Sequence, residues 1–222
     1  MIGEANPRRS GAAMVRSFGS DPLSTASRSR VPVPAKSPRA APARPTLEGP
    51  RVTLRAPIPT DKRDRLAHGR DPEFRRMAGG DPATSPPLTP DEVDGWYESL
   101  RRDPLQWVIE AEGRCIGTAR LRHVDVGNRS ATYAIGIFHP RFWSRGYGTE
   151  ATLAVLGHAF GKMGLHRVAL RVLEFNRRAI ACYEKCGFVR EGIQRDGVRI
   201  GGEWLSEVLM AILDHEYRDR IS

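Results

Sequence analysis

The chain has 222 residues, 40% hydrophobic content and a formal net charge of +9, with a mean hydropathy of -0.45. That length holds one ordinary domain with an appendage or two very small ones, and no apolar run approaches the roughly 18 residues that a membrane-spanning helix needs. Three cysteines, without His or Cys partners at zinc spacing, exclude a disulfide framework and give no metal pattern; small packing groups in a reducing cytoplasm are the expectation.

Charge is concentrated at the start. Residues 1–50 carry eight basic side chains against three acidic ones, with eight of the 17 prolines. Such a Pro/Ser/Ala-rich segment buries too little apolar surface to offset its ordering entropy. Residues 1–45 are therefore expected to be a disordered basic extension, and 46–222 the folded domain. Three readings of the extension compete: a segment without function, for which Met14 offers an alternative start; an arm with weak, salt-sensitive attraction to nucleic acid or the ribosome; and an organelle transit peptide. Four lysines against 31 arginines mark GC-rich coding, which favours the first and counts against the third. No apolar run follows Arg8 and Arg9, so a secretory signal is not expected.

Thr53 to Ala56 reads as a first strand, and Thr60–Gly69 and Asp71–Met77 as polar helical turns with Leu66, Phe74 and Met77 as their apolar contacts. Thr89-Pro90-Asp91-Glu92 spells a capping box with Pro at the first helical position, opening a helix to about Arg102. Trp107–Ala111 and Cys115–Val124 flank Glu112-Gly113, a hairpin signal. After a turn at Asn128-Arg129-Ser130 comes a strand from Ala131 to Phe138. The loop Trp143-Ser144-Arg145-Gly146-Tyr147-Gly148 then runs into a helix from Thr149 to Met163, with Ala151, Val155, Leu156 and Ala159 toward the sheet. Arg167–Leu173 alternates as a strand, and Ala179–Lys185 is helical, ended by Gly187. Cys182 and Cys186 stack on one face of that helix. Phe188–Gln194 and Glu203–Ile212 pair across a turn at Asp196-Gly197. The sum is an α+β domain with a single mixed, mostly antiparallel sheet flanked by helices.

The glycine loop carries the chemistry. Gly146 and Gly148 let the backbone approach a ligand closely, and the N–H groups from about Ser144 to Thr149 converge at the positive end of a helix, a site for phosphate oxygens. Ser144 fits such a loop if its φ is negative. Arg145 adds a charge-assisted contact or is merely solvated. Alone, a Gly-x-Gly before a helix is a weak signal.

A second block, Asn176-Arg177-Arg178-Ala179-Ile180-Ala181-Cys182-Tyr183-Glu184-Lys185-Cys186-Gly187-Phe188, changes its weight. The two blocks together resemble the GNAT superfamily of acetyl-CoA-dependent N-acetyltransferases. Trp143 and the Gly-Tyr-Gly-Thr-Glu-Ala run are similar to the branch of ribosomal-protein N-acetyltransferases. The likeness extends from Leu47–Arg55 to Val208–Leu213, about 175 residues. It implies a GNAT-like acyl-CoA N-acyltransferase fold with acetyl-CoA as cosubstrate, no metal, a cytoplasmic setting and a monomer or homodimer. By the same resemblance the coenzyme lies against the backbone of Ile137 and Phe138, the loop Ser144, Arg145, Gly146, Tyr147, Gly148 and Thr149, and Asn176, which also caps its helix.

In that reading an amine attacks the thioester, held in place by proximity, with a backbone N–H near Ile137 for the oxyanion. Tyr183 lies at the departing sulfur as proton donor, against the plainer reading of an aromatic packed on the sheet. The family's Glu in the strand before the glycine loop is missing from Ala131-Thr132-Tyr133-Ala134. Glu110 is the catalytic base candidate, with Asp125, Glu203, Glu207, His123 and His139 as further options, each also readable as a surface group. The acceptor is a protein N-terminus or a small-molecule amine; the alternative function is a non-catalytic CoA-binding sensor or ribosome-associated factor.

Overall fold

Alternation of apolar side chains along the central segments builds one eight-stranded sheet in the computed structural model, which describes residues 44–84 and 86–221. Its strands are β1 (Leu47–Glu48), β2 (Thr53–Arg55), β3 (Gln106–Ala111), β4 (Arg114–Asp125), β5 (Ser130–Ile137), β6 (Arg167–Leu173), β7 (Val189–Ile200) and β8 (Glu203–Leu213). Their spatial order is β1-β2-β3-β4-β5-β6-β8-β7, antiparallel except for β5 beside β6. The helices are α1 (Asp61–His68), α2 (Pro72–Met77), α3 (Pro90–Arg102), α4 (Tyr147–Gly161), α5 (Arg177–Cys186) and α6 (Asp214–Ile221). The expected α+β class is the observed one. Among the described residues no helix is long and apolar enough to cross a membrane.

Helix α4 buries Ala151, Val155, Leu156 and Ala159, all within one core with Trp107, Ile109, Leu170 and Met210. Helix α3 begins with the predicted capping box: Thr89 accepts from Glu92 N and Glu92 from Thr89 N. Its buried residues, Val93, Tyr97 and Leu100, lie four and three apart and so share one face.

Four local expectations give way to tertiary forces. Leu66 is 41% exposed, and α1 is held by polar groups instead. Asp61 takes both terminal nitrogens of Arg55 (2.9 and 2.8 Å) and the Ile58 N–H (2.7 Å). Asp64 accepts from Cys115 N at 3.0 Å, and His68 Nε2 lies 2.8 Å from the Cys115 carbonyl. Polar side chains tolerate burial when each finds such a partner. The last hairpin turns at Gly201-Gly202, both at positive φ, whereas Asp196 (φ 50°) sits in an irregularity within β7. Helix α6, absent from the sequence reading, docks through Tyr217, whose ring lies 5.2 Å from Phe160. Helix α4 starts two residues before Thr149.

The expected extension lies outside the described residues except for its last two members. Arg44 donates to the carbonyls of Leu100 and Asp103, and the Pro45 carbonyl accepts from Trp107 Nε1 at 2.9 Å. The folded body therefore takes in Arg44 and Pro45.

One feature of the sheet prepares a site. Strands β5 and β6 pair only where Ser130, Ala131 and Thr132 face Arg167, Val168 and Ala169. Beyond that point β5 stays with β4 as far as Ile137, and β6 stays with β8 as far as Leu173. The sheet opens into a wedge.

Candidate active site

The wedge is the mouth of a cavity of about 830 Å³, entered from β5, the glycine loop and α5 on one side and from α1, α2, α3 and β4 on the other. Backbone groups line its open edge. Phe138 N–H donates to the Ile116 carbonyl at 2.9 Å, which sets the phase of the β4–β5 ladder. In an antiparallel pair the alternate residues then turn their N–H and C=O outward, so Ile135 and Ile137 face the wedge. The Ile137 carbonyl is taken by Trp143 Nε1 at 2.8 Å, leaving its N–H. The expectation for Phe138 is corrected here: it lines the cavity, but its N–H is committed to β4.

At the start of α4, Gly146 is the N-cap at φ 89° with no side-chain cap. Glu150 N–H closes the first turn onto Gly146 O at 3.0 Å. The N–H groups of Tyr147, Gly148 and Thr149 thus have no intrahelical acceptor and point outward at the positive end of a 15-residue helix. Ser144 departs from expectation with φ 57°. A left-handed non-glycine residue costs about 1–3 kcal/mol and persists only where its surroundings dictate it. Those surroundings are visible. Arg51 pairs with Glu150 and donates to the Arg145 carbonyl at 2.9 Å, clamping the loop from the turn between β1 and β2. An added Cβ on Gly146 would lie 2.6 Å from Arg51 Nη2.

Of the predicted residues, Ile137, Phe138, Ser144, Gly146, Gly148, Thr149, Asn176 and Tyr183 line the cavity. The side chains of Arg145 and Tyr147 turn away from it: Arg145 pairs with Glu112 at 2.7 Å, and the Tyr147 hydroxyl donates to Glu112 at 2.6 Å. Asn176 accepts from Ala179 N (3.2 Å) as the cap of α5 and donates to the Met77 carbonyl (3.3 Å), tying α5 to α2. The carboxylates fall differently from expectation. Glu110 does not line the cavity; it is bound to Arg55 at 2.5 Å, because the guanidinium between β2 and β3 is the nearest counter-charge. Asp125 accepts from Asn128 within its turn, Glu203 is exposed, and His139 accepts from Arg141 N. His123 is exposed at positive φ. Glu207, 3.9 Å from Arg171, is the carboxylate that reaches the cavity wall.

Tyr183 stands on the wall of the wedge, 7% exposed, its ring 6.5 Å from that of Tyr133 and 5.7 Å from that of Phe188. Burial pushes its phenol above the usual range, and that of Tyr133 as well. Both stay protonated at neutral pH. Raised folded values give stability that is present below the unfolded value near 10 and lost as pH rises beyond it. A spectrophotometric phenol titration should find at least two of the five tyrosines ionising only as the chain unfolds; five ordinary phenols would contradict their burial. Beside Tyr183, hydrogen bonds from Cys186 and Thr149 draw the Cys182 thiol below its usual range. Among the described residues no His, Cys, Asp and Glu cluster suits a metal ion.

The far side of the cavity was not foreseen. Gln106, Thr118 and Arg120 on β3 and β4, with Phe74 and Trp96 on α2 and α3, form its wall there. They come from separate elements and share no local motif.

Residues 51–189 match the acetyltransferase (GNAT) domain family. An uncharacterized N-acetyltransferase, YnaD, of Bacillus subtilis is 36% identical over 39% of this chain and 51% of its own length, so the chain spans about half of that relative. A spermidine N(1)-acetyltransferase of Vibrio cholerae is 30% identical over 59% of this chain and 76% of its own. The crystal structure of spermidine N-acetyltransferase from Vibrio cholerae in complex with CoA and spermine superposes with a TM-score of 0.64 at 26% identity, covering 76% of this chain and 98% of that one.

Proposed function

The chain belongs to the GNAT acetyltransferase family, and from that premise we propose that it transfers the acetyl group of acetyl-CoA to a primary amine by direct attack in a ternary complex. The observation that carries this reading is the parting of β5 from β6 after three paired residues, with the uncapped start of α4 and Tyr183 on the same cavity. Acetyl-CoA supplies an activated thioester. The N–H groups of Tyr147, Gly148 and Thr149 suit its pyrophosphate, and the outward backbone of Ile135 and Ile137 suits the amides of its pantetheine arm.

The balance of the reaction assigns work to two side chains. A bond forms from the amine nitrogen to the acetyl carbon, the C–S bond breaks, one proton leaves nitrogen and one arrives at sulfur. Tyr183 serves the sulfur. Its phenol is raised by burial, while a thiol titrates near 8.5, so full ionisation of the phenol is uphill. It therefore acts by holding its O–H in a hydrogen bond to the sulfur as charge builds there, and the thiol is completed by the amine's proton once the group that first receives it has passed it on. Glu207, the acid on the cavity wall, replaces Glu110 as the group that receives the amine's proton. Amines of low pKa gain most, since an α-amino group near 8 loses its proton far more readily than a lysine near 10.4.

Thiol release by the full chain, measured with acetyl-CoA and a panel of primary amines, tests the reading. Amine-dependent release with matching N-acetyl product is expected. Coenzyme binding without transfer to any amine would leave a CoA-binding sensor in its place.

A further inference from the structure

A guanidinium lines the wall opposite the glycine loop. Arg120 on β4 is half-buried and lines the cavity, and among the described residues it makes no hydrogen bond or ion pair through its side chain. Its Cα partners are Gln106 on β3 and Ala134 on β5. Gln106 is buried, lines the same wall, and like Thr118, two residues before Arg120, has no side-chain hydrogen bond among the described residues. Burial acts against the charge of Arg120 and neighbouring Arg122 adds repulsion, while the Asp103 carboxylate offsets part of both. A half-buried cation beside an amide and a hydroxyl that no protein group binds is a set that an anion in the cavity would complete.

We propose that the acceptor is an amine carrying its own anionic group, a carboxylate or phosphate that the Arg120 guanidinium receives with Gln106 and Thr118. The inference rests on the acyl-transfer reading above and adds its substrate class. The charge distribution around the cavity supports it. The cavity wall carries Arg65, Arg120, Arg171, Arg178 and Lys185 against the single acid Glu207, a field that repels polycations. Arg178 and Lys185 stand on α5 beside the glycine loop, where coenzyme phosphates would lie. Arg65 stands with Arg120 on the other side, its guanidinium 4.5 Å from the Phe138 ring centre and donating to Gly69 O at 2.7 Å.

The spacing is also suitable. Ala134, opposite Arg120, precedes Ile137 by three residues, about 10 Å along a strand. An amine placed at the Ile137 N–H therefore leaves room for a short spacer to an anion at Arg120. A guanidinium fork binds either oxyanion in bidentate fashion.

The test uses the full chain and acceptors matched in their amine: an amino acid and its carboxamide, an ω-amino acid and the diamine of equal length, phosphoethanolamine and ethanolamine, and spermidine. The anionic member of a pair is expected to have a kcat/KM at least about tenfold higher. A preference confined to the carboxylate pairs assigns a carboxylate; one confined to phosphoethanolamine assigns a phosphate. Arg120→Gln should bring the ratio close to one, mainly through KM for the acceptor, and Arg120→Lys should restore part of it. Coenzyme affinity and melting temperature of the same variants separate lost recognition from lost folding, and if Arg120→Gln does not fold the wild-type ratios decide. Diamines or spermidine turned over as well as the anionic amines would overturn the proposal and leave acetyl transfer standing. No transfer to any amine, with coenzyme bound, would overturn both.

Discussion

Tyr183→Phe is expected to lower kcat about 100-fold, the scale of losing one positioned donor to a developing anion, while coenzyme affinity stays close to that of the wild type. The substitution removes one oxygen and nothing else. The Phe ring keeps the edge contacts with Tyr133 and Phe188, so the wall of the wedge retains its shape. If Tyr183 were only a packing residue, the variant would turn over at the wild-type rate, and that result would remove it from the mechanism. Steady-state kinetics with a saturating amine separates the two, provided a melting curve confirms the fold. A further readout is the leaving group. A thioester whose thiol is a stronger acid needs less help as it departs, so the deficit of the variant should shrink with such a donor. A general structural defect would slow both donors alike.

Gly117→Ala is expected to destabilise the domain by about 3 kcal/mol, at the upper end of overpacking effects. The reason is backbone against backbone. A Cβ on Gly117 would lie 2.3 Å from the Gly136 carbonyl oxygen and 3.0 Å from the Ile137 Cα. No rotamer relieves such a clash, so β4 and β5 must separate at the open end of the wedge, where Gly117 pairs with Ile137. The Ile137 N–H would move with them. Denaturant unfolding should register the loss as a lower midpoint, and acetyl transfer should fall in the fraction that still folds. An unchanged midpoint would mean that the close approach of these two strands is not needed. By contrast, an added Cβ on Gly148 meets Cys182 Sγ only at 3.6 Å, an ordinary contact, so crowding at the strand pair outweighs crowding at that loop glycine.

What the chain reveals without a structure depends on how local each signal is. Thr89-Pro90-Asp91-Glu92 could be read because a capping box closes within four residues. The apolar stripe of α4 could be read because it repeats with the helix. Asn176 and Gly187 bracket α5 by rules that concern only their own backbone. Failures gather where a residue's partner is remote. Asp61, Asp64 and His68 look like a solvated helix face until Arg55 and the Cys115 backbone are beside them. Glu110 looks like a free carboxylate until β2 brings Arg55 to it. Ser144 takes a positive φ because Arg51, 93 positions earlier, clamps the loop.

The sequence by itself determined the α+β class, the order of most elements, the glycine loop at a helix start and the family likeness that brings acetyl-CoA with it. Those rest on periodicity, caps and short spacings, which act over a few residues and survive without a third dimension. Only the tertiary structure decided that β5 and β6 part after three pairs, that Tyr183 faces the resulting wedge and Glu110 does not, and that Arg120 stands on its far wall. Each depends on which strands run side by side. A charge has no defined partner, and a carboxylate or guanidinium no assigned role, until distant segments have packed around it.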